Sequence, residues 1–230
     1  TVAAERDHTA IVHLLEDYVS TPSKFKFKKD WSSPIYFRRT EDEKAFERAI
    51  DKGDIELVRQ YLQNNPRLAL DETLFWGEGV MMMAAKDGDR KMVELLMSYH
   101  ASIPDILKWA QFYYFKLDDM AAFLLENGMN ANVMSWHHVT LLHDMAQKGE
   151  LYKAGLLIKH GAAIDAIEEE YQSTPLGLAA RWGQEAMVSY LLKQGADANK
   201  SGAEWSTPMA WAKRKGYSDI EKILRNAGAK

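Results

Sequence analysis

Residues 173–199 read STPLGLAARWGQEAMVSYLLKQGADAN, which carries the signals of two helices joined by a turn. Thr174 can cap a helix that begins at Pro175, and Gly183 suits a left-handed turn where that helix ends. A second apolar stripe follows at helical spacing, formed by Met187, Val188, Leu191 and Leu192. Gly195 closes this stripe, so the segment predicts a helix–turn–helix unit followed by a polar connection.

The unit recurs, because two series of glycines share one period along the chain. The first series has gaps of 33, 34 and 33 residues and consists of Gly128, Gly161, Gly195 and Gly228. The second has gaps of 34 and 33 residues and consists of Gly149, Gly183 and Gly216. A fixed period of this length predicts stacked supersecondary units rather than one globular core.

The repeat becomes less regular toward the N-terminus. Gly53 and Gly88 mark earlier copies, each followed by an apolar stripe. Lys116 takes the glycine position of an irregular copy, only 28 residues after Gly88. We therefore expect the connecting finger of that copy to be shortened.

This pattern resembles the ankyrin repeat. The Thr-Pro-Leu-His-x-Ala signature of that family appears as TPLGLA at residues 174–179 and as TPMAWA at residues 207–212. Residues 140–143 (TLLH) keep the histidine and lose the proline, and residues 195–199 (GADAN) match the Gly-Ala-Asp-Val-Asn turn of the family. The resemblance implies an all-α solenoid of stacked antiparallel helix pairs with projecting fingers, containing five to six repeats of which the N-terminal ones are degenerate.

The predicted domain boundary lies at residue 40. The array is expected to occupy residues 41–230, with approximate repeats at 44–77, 78–105, 106–138, 139–172, 173–205 and 206–230. Residues 1–40 fall outside the pattern and are expected to cap the array. Their amphipathic helix is predicted from the helical spacing of Ile11, Leu14, Leu15, Tyr18 and Val19.

Basic and aromatic residues mix in the segment that follows, where Phe25, Phe27 and Trp31 lie among lysines. One interpretation is a patch for nucleic acid or an acidic membrane surface. The other is a loop anchored by its aromatic rings while the lysines stay solvated. We favour the second, because the patch is short and the chain has a formal net charge of −4.

Composition excludes several classes of site and partner. The chain has no cysteine, which rules out disulfides, thiolate metal sites and cysteine nucleophiles. No apolar run is long enough for a membrane span, and the net charge does not favour nucleic acid. We expect a monomer and favour a cytoplasmic location; since the sequence begins at Thr1, secretion after removal of a signal is the alternative.

The resemblance also implies where a partner would bind, because arrays of this kind bind proteins through finger tips and the exposed face of the first helix of each repeat. Transferring those positions by register predicts an aromatic-rich concave surface that binds a protein of unknown identity. Its residues are Phe75, Trp76, Tyr114, Phe115, Trp136, His137, Tyr171, Arg181, Trp182 and Trp205. For Tyr114 and Phe115, the alternative is that they fill the space of the shortened finger.

Catalysis is not predicted, and neither a cofactor nor a metal site is expected. His143 occupies the signature histidine position, which implies a hydrogen-bond role between loops, and the adjacent His137 and His138 point opposite ways in extended backbone. The acidic run Glu168–Glu170 is interpreted as a solvated finger tip. The alternative function is a small-molecule or catalytic site near the N-terminal segment and the early repeats, lined by Trp31, Tyr36, Arg38 and Arg39 together with Phe75 and Trp76.

Overall fold

Helices form the regular secondary structure of the part of the chain that can be described. The computed structural model describes residues 39–71, 74–77, 79–103, 115–135 and 137–230. Within those ranges the only strand-like pairing is an isolated antiparallel bridge between Met134 and Thr140. The all-α class predicted from the sequence is therefore confirmed, whereas the predicted N-terminal helix and the segment through Arg38 lie outside the described residues.

The helices follow one another mostly in pairs. They are α1 (Glu41–Asp51), α2 (Ile55–Asn64), α3 (Leu74–Gly77), α4 (Val80–Lys86), α5 (Arg90–Ser98), α6 (Asp118–Glu126), α7 (Leu141–Lys148), α8 (Leu151–Lys159), α9 (Pro175–Arg181), α10 (Glu185–Lys193), α11 (Pro208–Lys215) and α12 (Ser218–Asn226). Short 3₁₀ turns lie at Pro66–Leu70 and Glu204–Ser206.

The pairs stack into two layers. First helices contact first helices: α1 contacts α4, α7 contacts α9, and α9 contacts α11. Second helices do the same, since α2 contacts α5 and the series α6, α8, α10 and α12 continues through the C-terminal half. A single hydrophobic core runs between the layers, because no pair can cover its apolar face alone.

Threonine caps begin the regular first helices. The hydroxyl oxygens of Thr140, Thr174 and Thr207 accept the backbone N–H three residues later, over 3.4, 3.2 and 3.1 Å. Pro175 and Pro208 occupy the first helical position, where the missing N–H costs nothing. These local signals explain why the helices begin where the sequence predicts.

Every glycine of the two periodic series adopts a positive φ angle, for example 75° at Gly149 and 95° at Gly195. Residues other than glycine rarely adopt this backbone conformation, because their Cβ atom would approach the following carbonyl oxygen. The period of the sequence therefore records the positions where the backbone must reverse between helices.

His100 occupies a glycine position that the sequence pattern did not identify. It lies 28 residues before Gly128, as Gly88 lies 28 residues before Lys116. Its φ is 68°, and its N–H donates to the carbonyl of Met97 over 2.9 Å. Gly88 and His100 are 12 residues apart, as Gly149 and Gly161 are, so the shortening lies between His100 and Lys116.

We expect His100→Gly to stabilise the array by about 0.5 to 1 kcal/mol, because relief of left-handed strain exceeds the added entropy of the unfolded chain. Urea unfolding measures the change. Gln194→Gly is the control, since Gln194 ends the equivalent helix of another repeat at φ −83° and should lose stability. A destabilised His100→Gly variant would contradict this account.

The fingers are joined by a ladder of side-chain hydrogen bonds between equivalent positions. Asn132 donates to the carbonyl of Gly161 over 2.9 Å and accepts the N–H of Ala163 over 2.7 Å. Asn199 makes the same pair of bonds with Gly228 and Lys230 over 3.1 and 2.9 Å. Between them, Asp165 accepts the N–H of Asp197 over 3.1 Å, so each finger is held by the next.

Candidate functional site

Four of the residues predicted for the partner surface converge around the last two repeats, Tyr171 from the finger that precedes them. They meet around Trp211, which the prediction did not include, and beside Arg214. We call this group the tryptophan–arginine cluster: Tyr171, Arg181, Trp182, Trp205, Trp211 and Arg214. Tyr171 lies in the finger before α9, Arg181 and Trp182 end α9, Trp205 lies in the turn before α11, and Trp211 and Arg214 belong to α11.

Trp211 is the buried centre of the cluster, with only 3% of its surface exposed. Its indole N–H donates to the hydroxyl of Ser173 over 2.8 Å. The rings of Tyr171 and Trp205 meet it edge-on, with centroids 6.2 and 5.9 Å away. Because a buried indole with a satisfied N–H packs in one orientation, the surrounding groups are held in fixed positions.

Two arginines stack on this aromatic centre. The guanidinium carbon of Arg181 lies 4.1 Å from the ring centroid of Tyr171 and 4.3 Å from that of Trp211. The guanidinium carbon of Arg214 lies 4.6 Å from the centroid of Trp211, and an Nη donates to the carbonyl of Trp205 over 3.2 Å. Such cation–π contacts hold long side chains in place that solvent would otherwise leave mobile.

Trp182 and Trp205 give the cluster its exposed apolar surface. Their exposed fractions are 48% and 46%, so about half of each indole faces solvent. Tyr171 is half-buried, and its pKa is raised chiefly because its hydroxyl donates to the Glu170 carboxylate, an effect that the positive charge of Arg181 opposes. The surface therefore combines exposed rings with fixed cationic groups.

Register explains why these side chains meet. Arg181 and Arg214 are 33 residues apart, and each lies two residues before a glycine of the second series. Since α9 packs on α11, equivalent positions of the two repeats become neighbours. The central Trp211 occupies the variable position of the TPMAWA motif, where the preceding repeat has Leu178, and that position by itself did not predict a buried aromatic centre.

Three other predicted surface residues, Phe75, Phe115 and His137, have described side chains, and none of them contacts the cluster in the interactions that the structure describes. Phe75 and Phe115 are 9% and 1% exposed and belong to the hydrophobic core, so their predicted exposure to a partner is wrong. The burial of Phe115 is compatible with the alternative, in which its ring fills space in the irregular copy. His137 is half-buried, and its carbonyl accepts the N–H of Glu169 over 3.0 Å. Tyr114, Trp136, the side chain of Trp76 and the alternative pocket residues Trp31, Tyr36 and Arg38 lie outside what the structure describes.

His143 joins two loops through a buried hydrogen-bond network. Its Nδ1 accepts the N–H of Thr140 over 3.1 Å, and its Nε2 lies 3.0 and 3.2 Å from the carbonyl oxygens of Ala166 and Ser173. Nε2 must therefore carry the proton, since a carbonyl only accepts. Burial lowers the pKa of His143 to about 4, which keeps the ring neutral. Across the described residues no group of three His, Asp or Glu side chains could hold a metal ion.

Glu168 corrects the interpretation of residues 168–170 as a solvated tip. Its side chain is 1% exposed, and its carboxylate accepts the N–H groups of Glu170, Tyr171 and Ser173 over 2.7 to 3.0 Å. Only Glu169 and Glu170 are exposed. Glu168 thus shapes the finger that carries Tyr171 and positions Ser173, the acceptor for the Trp211 indole.

Comparisons with known proteins agree with the fold of stacked helix pairs. A family model described as ankyrin repeats (3 copies) matches residues 107–202 and 142–230. A crystal structure of an ankyrin repeat domain from Acinetobacter baumannii AYE is similar with a TM-score of 0.67 and 26% identity, covering 82% of this chain and 100% of that one. No helix of the described residues is long and apolar enough to cross a membrane.

Among similar proteins, a putative ankyrin repeat protein of Fowlpox virus is 25% identical over 164 residues, which are 67% of this chain and 24% of the viral protein. The nuclear factor NF-kappa-B p105 subunit of Gallus gallus is 22% identical over 223 residues, which are 96% of this chain and 20% of that protein. The chain thus spans about a quarter or less of the length of these relatives.

Proposed function

This chain belongs to the ankyrin-repeat family, and from that premise we propose that it binds a protein partner through the tryptophan–arginine cluster. Ankyrin repeats are generally protein-interaction modules, and the cluster lies in the most regular repeats of the chain. The observation that carries the proposal is the pair of half-exposed indoles, Trp182 and Trp205, beside the buried Trp211. Large aromatic side chains on a rigid frame are typical of binding hot spots.

Rigidity supports the proposal as much as composition does. Trp211 is fixed by its bond to Ser173, Arg181 and Arg214 are stacked on its ring, and the backbone on either side is helical. A preformed surface loses little conformational entropy on binding, so more of the contact energy appears as affinity. The mechanism is therefore docking of a partner segment onto a surface already in place.

We expect Trp182→Ala and Trp205→Ala each to weaken partner binding by at least about tenfold. A library of random 12-residue peptides displayed on phage, selected on the wild-type protein, supplies the ligands. Fluorescence anisotropy with the synthetic peptides gives the dissociation constants. Because both indoles are already half in solvent, we expect each variant to lose about 2 kcal/mol of stability, less than a fully buried tryptophan would cost.

Tyr152→Ala is the matched control, because Tyr152 is a comparably exposed aromatic residue, 54% accessible, on the second helix α8. It should leave peptide affinity unchanged. The location of the site is wrong if the selected peptides bind Trp182→Ala and Trp205→Ala as tightly as they bind the wild type. It is also wrong if either variant unfolds at room temperature, since the ring would then belong to the core.

A further inference from the structure

The positive charge of the cluster is only partly offset, since the Glu170 carboxylate binds the Tyr171 hydroxyl beside Arg181. Neither Arg181 nor Arg214 forms an ion pair in the described part of the chain, although several surface arginines and lysines do. Arg90 is the informative contrast: its guanidinium lies 4.3 Å from the ring centroid of Phe123 and also pairs with Glu94 over 2.9 Å. Stacking on a ring is therefore compatible with an ion pair, and the cluster has the stacking alone.

Stacking also decides which charge a partner can bring. Guanidinium groups lie 4.1 to 4.6 Å from one face of the Tyr171 ring and from the buried Trp211 ring, so these faces are not open to a cation from a partner. A stacked guanidinium still presents N–H donors around its edge, in a fork that matches a carboxylate. The Nε of Arg181 is buried and has no hydrogen-bond partner, so this arginine depends on its outer nitrogens for compensation.

The acidic surroundings limit how much negative charge can approach. Glu169, Glu170 and Glu204 are exposed in the two fingers that carry Tyr171 and Trp205, and the whole chain has a formal net charge of −4. A nucleic acid, with a charge at every phosphate, would be repelled by these carboxylates. A protein segment with one or two carboxylates between apolar side chains would not.

We propose that the cluster binds an acidic, partly apolar segment of a protein. Asp or Glu carboxylates of that segment pair with Arg181 and Arg214, and its neighbouring apolar side chains pack on Trp182 and Trp205. This proposal rests on the proposed function for its location and adds the chemistry of the partner. Fixed guanidinium groups favour a segment with carboxylates, and exposed indoles favour one with apolar side chains. The cluster therefore favours a segment that has both.

The test compares two peptides on matched variants. The tightest peptide selected on the wild type is synthesised as found and with every Asp and Glu replaced by Asn and Gln. We expect the replacement to weaken binding to the wild type at least about tenfold, and to the double variant Arg181→Gln/Arg214→Gln less than about threefold. Arg90→Gln, which removes a stacked but ion-paired arginine, should bind both peptides as the wild type does.

A second variant guards against loss of structure. Arg181→Lys/Arg214→Lys keeps both positive charges and should still bind the acidic peptide more tightly than the replaced one. This preference should weaken as NaCl is raised from 50 to 300 mM. Thermal melting verifies that each variant is folded. The inference is overturned if the selected peptides are not enriched in Asp and Glu, or if the replaced peptide loses affinity equally on the wild type and the glutamine double variant. Displacement of the peptide by a 20-nucleotide single-stranded DNA at lower concentration than the peptide itself also overturns it.

The outcomes separate the two proposals. One outcome is that peptide binding requires Trp182 and Trp205 but is unaffected when the Asp and Glu residues of the peptide are replaced. This result supports the proposed function and overturns the inference of an acidic partner. Peptides that tolerate the loss of both tryptophans and both arginines overturn both proposals. A selection that enriches no peptide also contradicts both, because the cluster is described as a preformed site for a linear segment.

Discussion

Replacing Glu168 with alanine is expected to destabilise the array by about 3 kcal/mol. The carboxylate is 1% exposed and accepts three backbone N–H groups, those of Glu170, Tyr171 and Ser173. Each buried donor left without an acceptor costs about 1 to 3 kcal/mol, and relaxation of the finger toward water recovers part of that cost. Urea unfolding followed by far-ultraviolet circular dichroism measures the change.

Two variants make this expectation specific. Glu169→Ala removes the neighbouring acid, whose exposed contact with Nδ1 of His138 over 2.6 Å should contribute less than about 1 kcal/mol. Glu168→Gln keeps the shape but presents an amide N–H₂ to backbone donors, so it should fall between the wild type and the alanine variant. Equal stability of Glu168→Ala and Glu169→Ala would show that the buried carboxylate does not organise the finger.

The effect of Glu168 should also reach the tryptophan–arginine cluster. Ser173 receives the indole N–H of Trp211 and donates its own backbone N–H to Glu168. Loss of the carboxylate loosens this position and with it the ring on which both arginines stack. We therefore expect hydrogen exchange of the Tyr171 and Ser173 amides to quicken in Glu168→Ala more than exchange in α1 and α2.

The second large expected effect is a loss of stability in acid. Protonation of His143 in the unfolded chain should by itself lower the free energy of unfolding by about 3 kcal/mol between pH 6.5 and pH 4. The folded protein holds the pKa of His143 at about 4, against 6.5 for an exposed histidine, because burial disfavours the charged ring. Above pH 6.5 both folded and unfolded chains carry a neutral ring, so the full contribution is present. Between pH 6.5 and 4 only the unfolded chain takes up the proton, and stability falls.

The measurement is the free energy of unfolding in urea at pH 7, 6, 5 and 4. His143→Gln removes the titrating ring and should be less stable at pH 7, with a visibly shallower fall toward acid than the wild type. His160→Gln, which replaces a half-buried histidine at the end of α8 outside this hydrogen-bond network, is the matched control variant. The same slope in the wild type and His143→Gln would contradict a neutral, buried His143.

Much of the architecture follows from short-range signals in the sequence. Thr174 and Pro175 begin a helix through a hydroxyl and a fixed φ angle, and Gly195 ends the next one through a left-handed turn. Each of these effects acts between residues a few positions apart. For that reason the helix pairs and the period could be predicted. His100 was missed because it adopts the left-handed backbone conformation of the periodic glycines without being a glycine.

The candidate site could be predicted only in part. Counting from Gly183 predicted that Arg181 and Trp182 share one surface with Tyr171, and the structure places the guanidinium of Arg181 against the rings of both residues. The same counting failed for Phe75 and Phe115, because their copies are irregular and the register of an average repeat does not apply there. Trp211 was missed since the variable position of its motif gives no sign of whether a side chain turns outward or into the stack.

What the sequence alone determined is the repeated unit: where each regular helix begins, where it turns, and that such units must stack. Only the tertiary structure decided that Glu168 is buried while Glu169 is not, and that Arg181 and Arg214 share the ring of Trp211. The physical reason is distance along the chain. Caps and turns are set by neighbours, whereas burial and stacking depend on contacts between residues of adjacent repeats, such as Ser173 and Trp211, which only the packed array brings together.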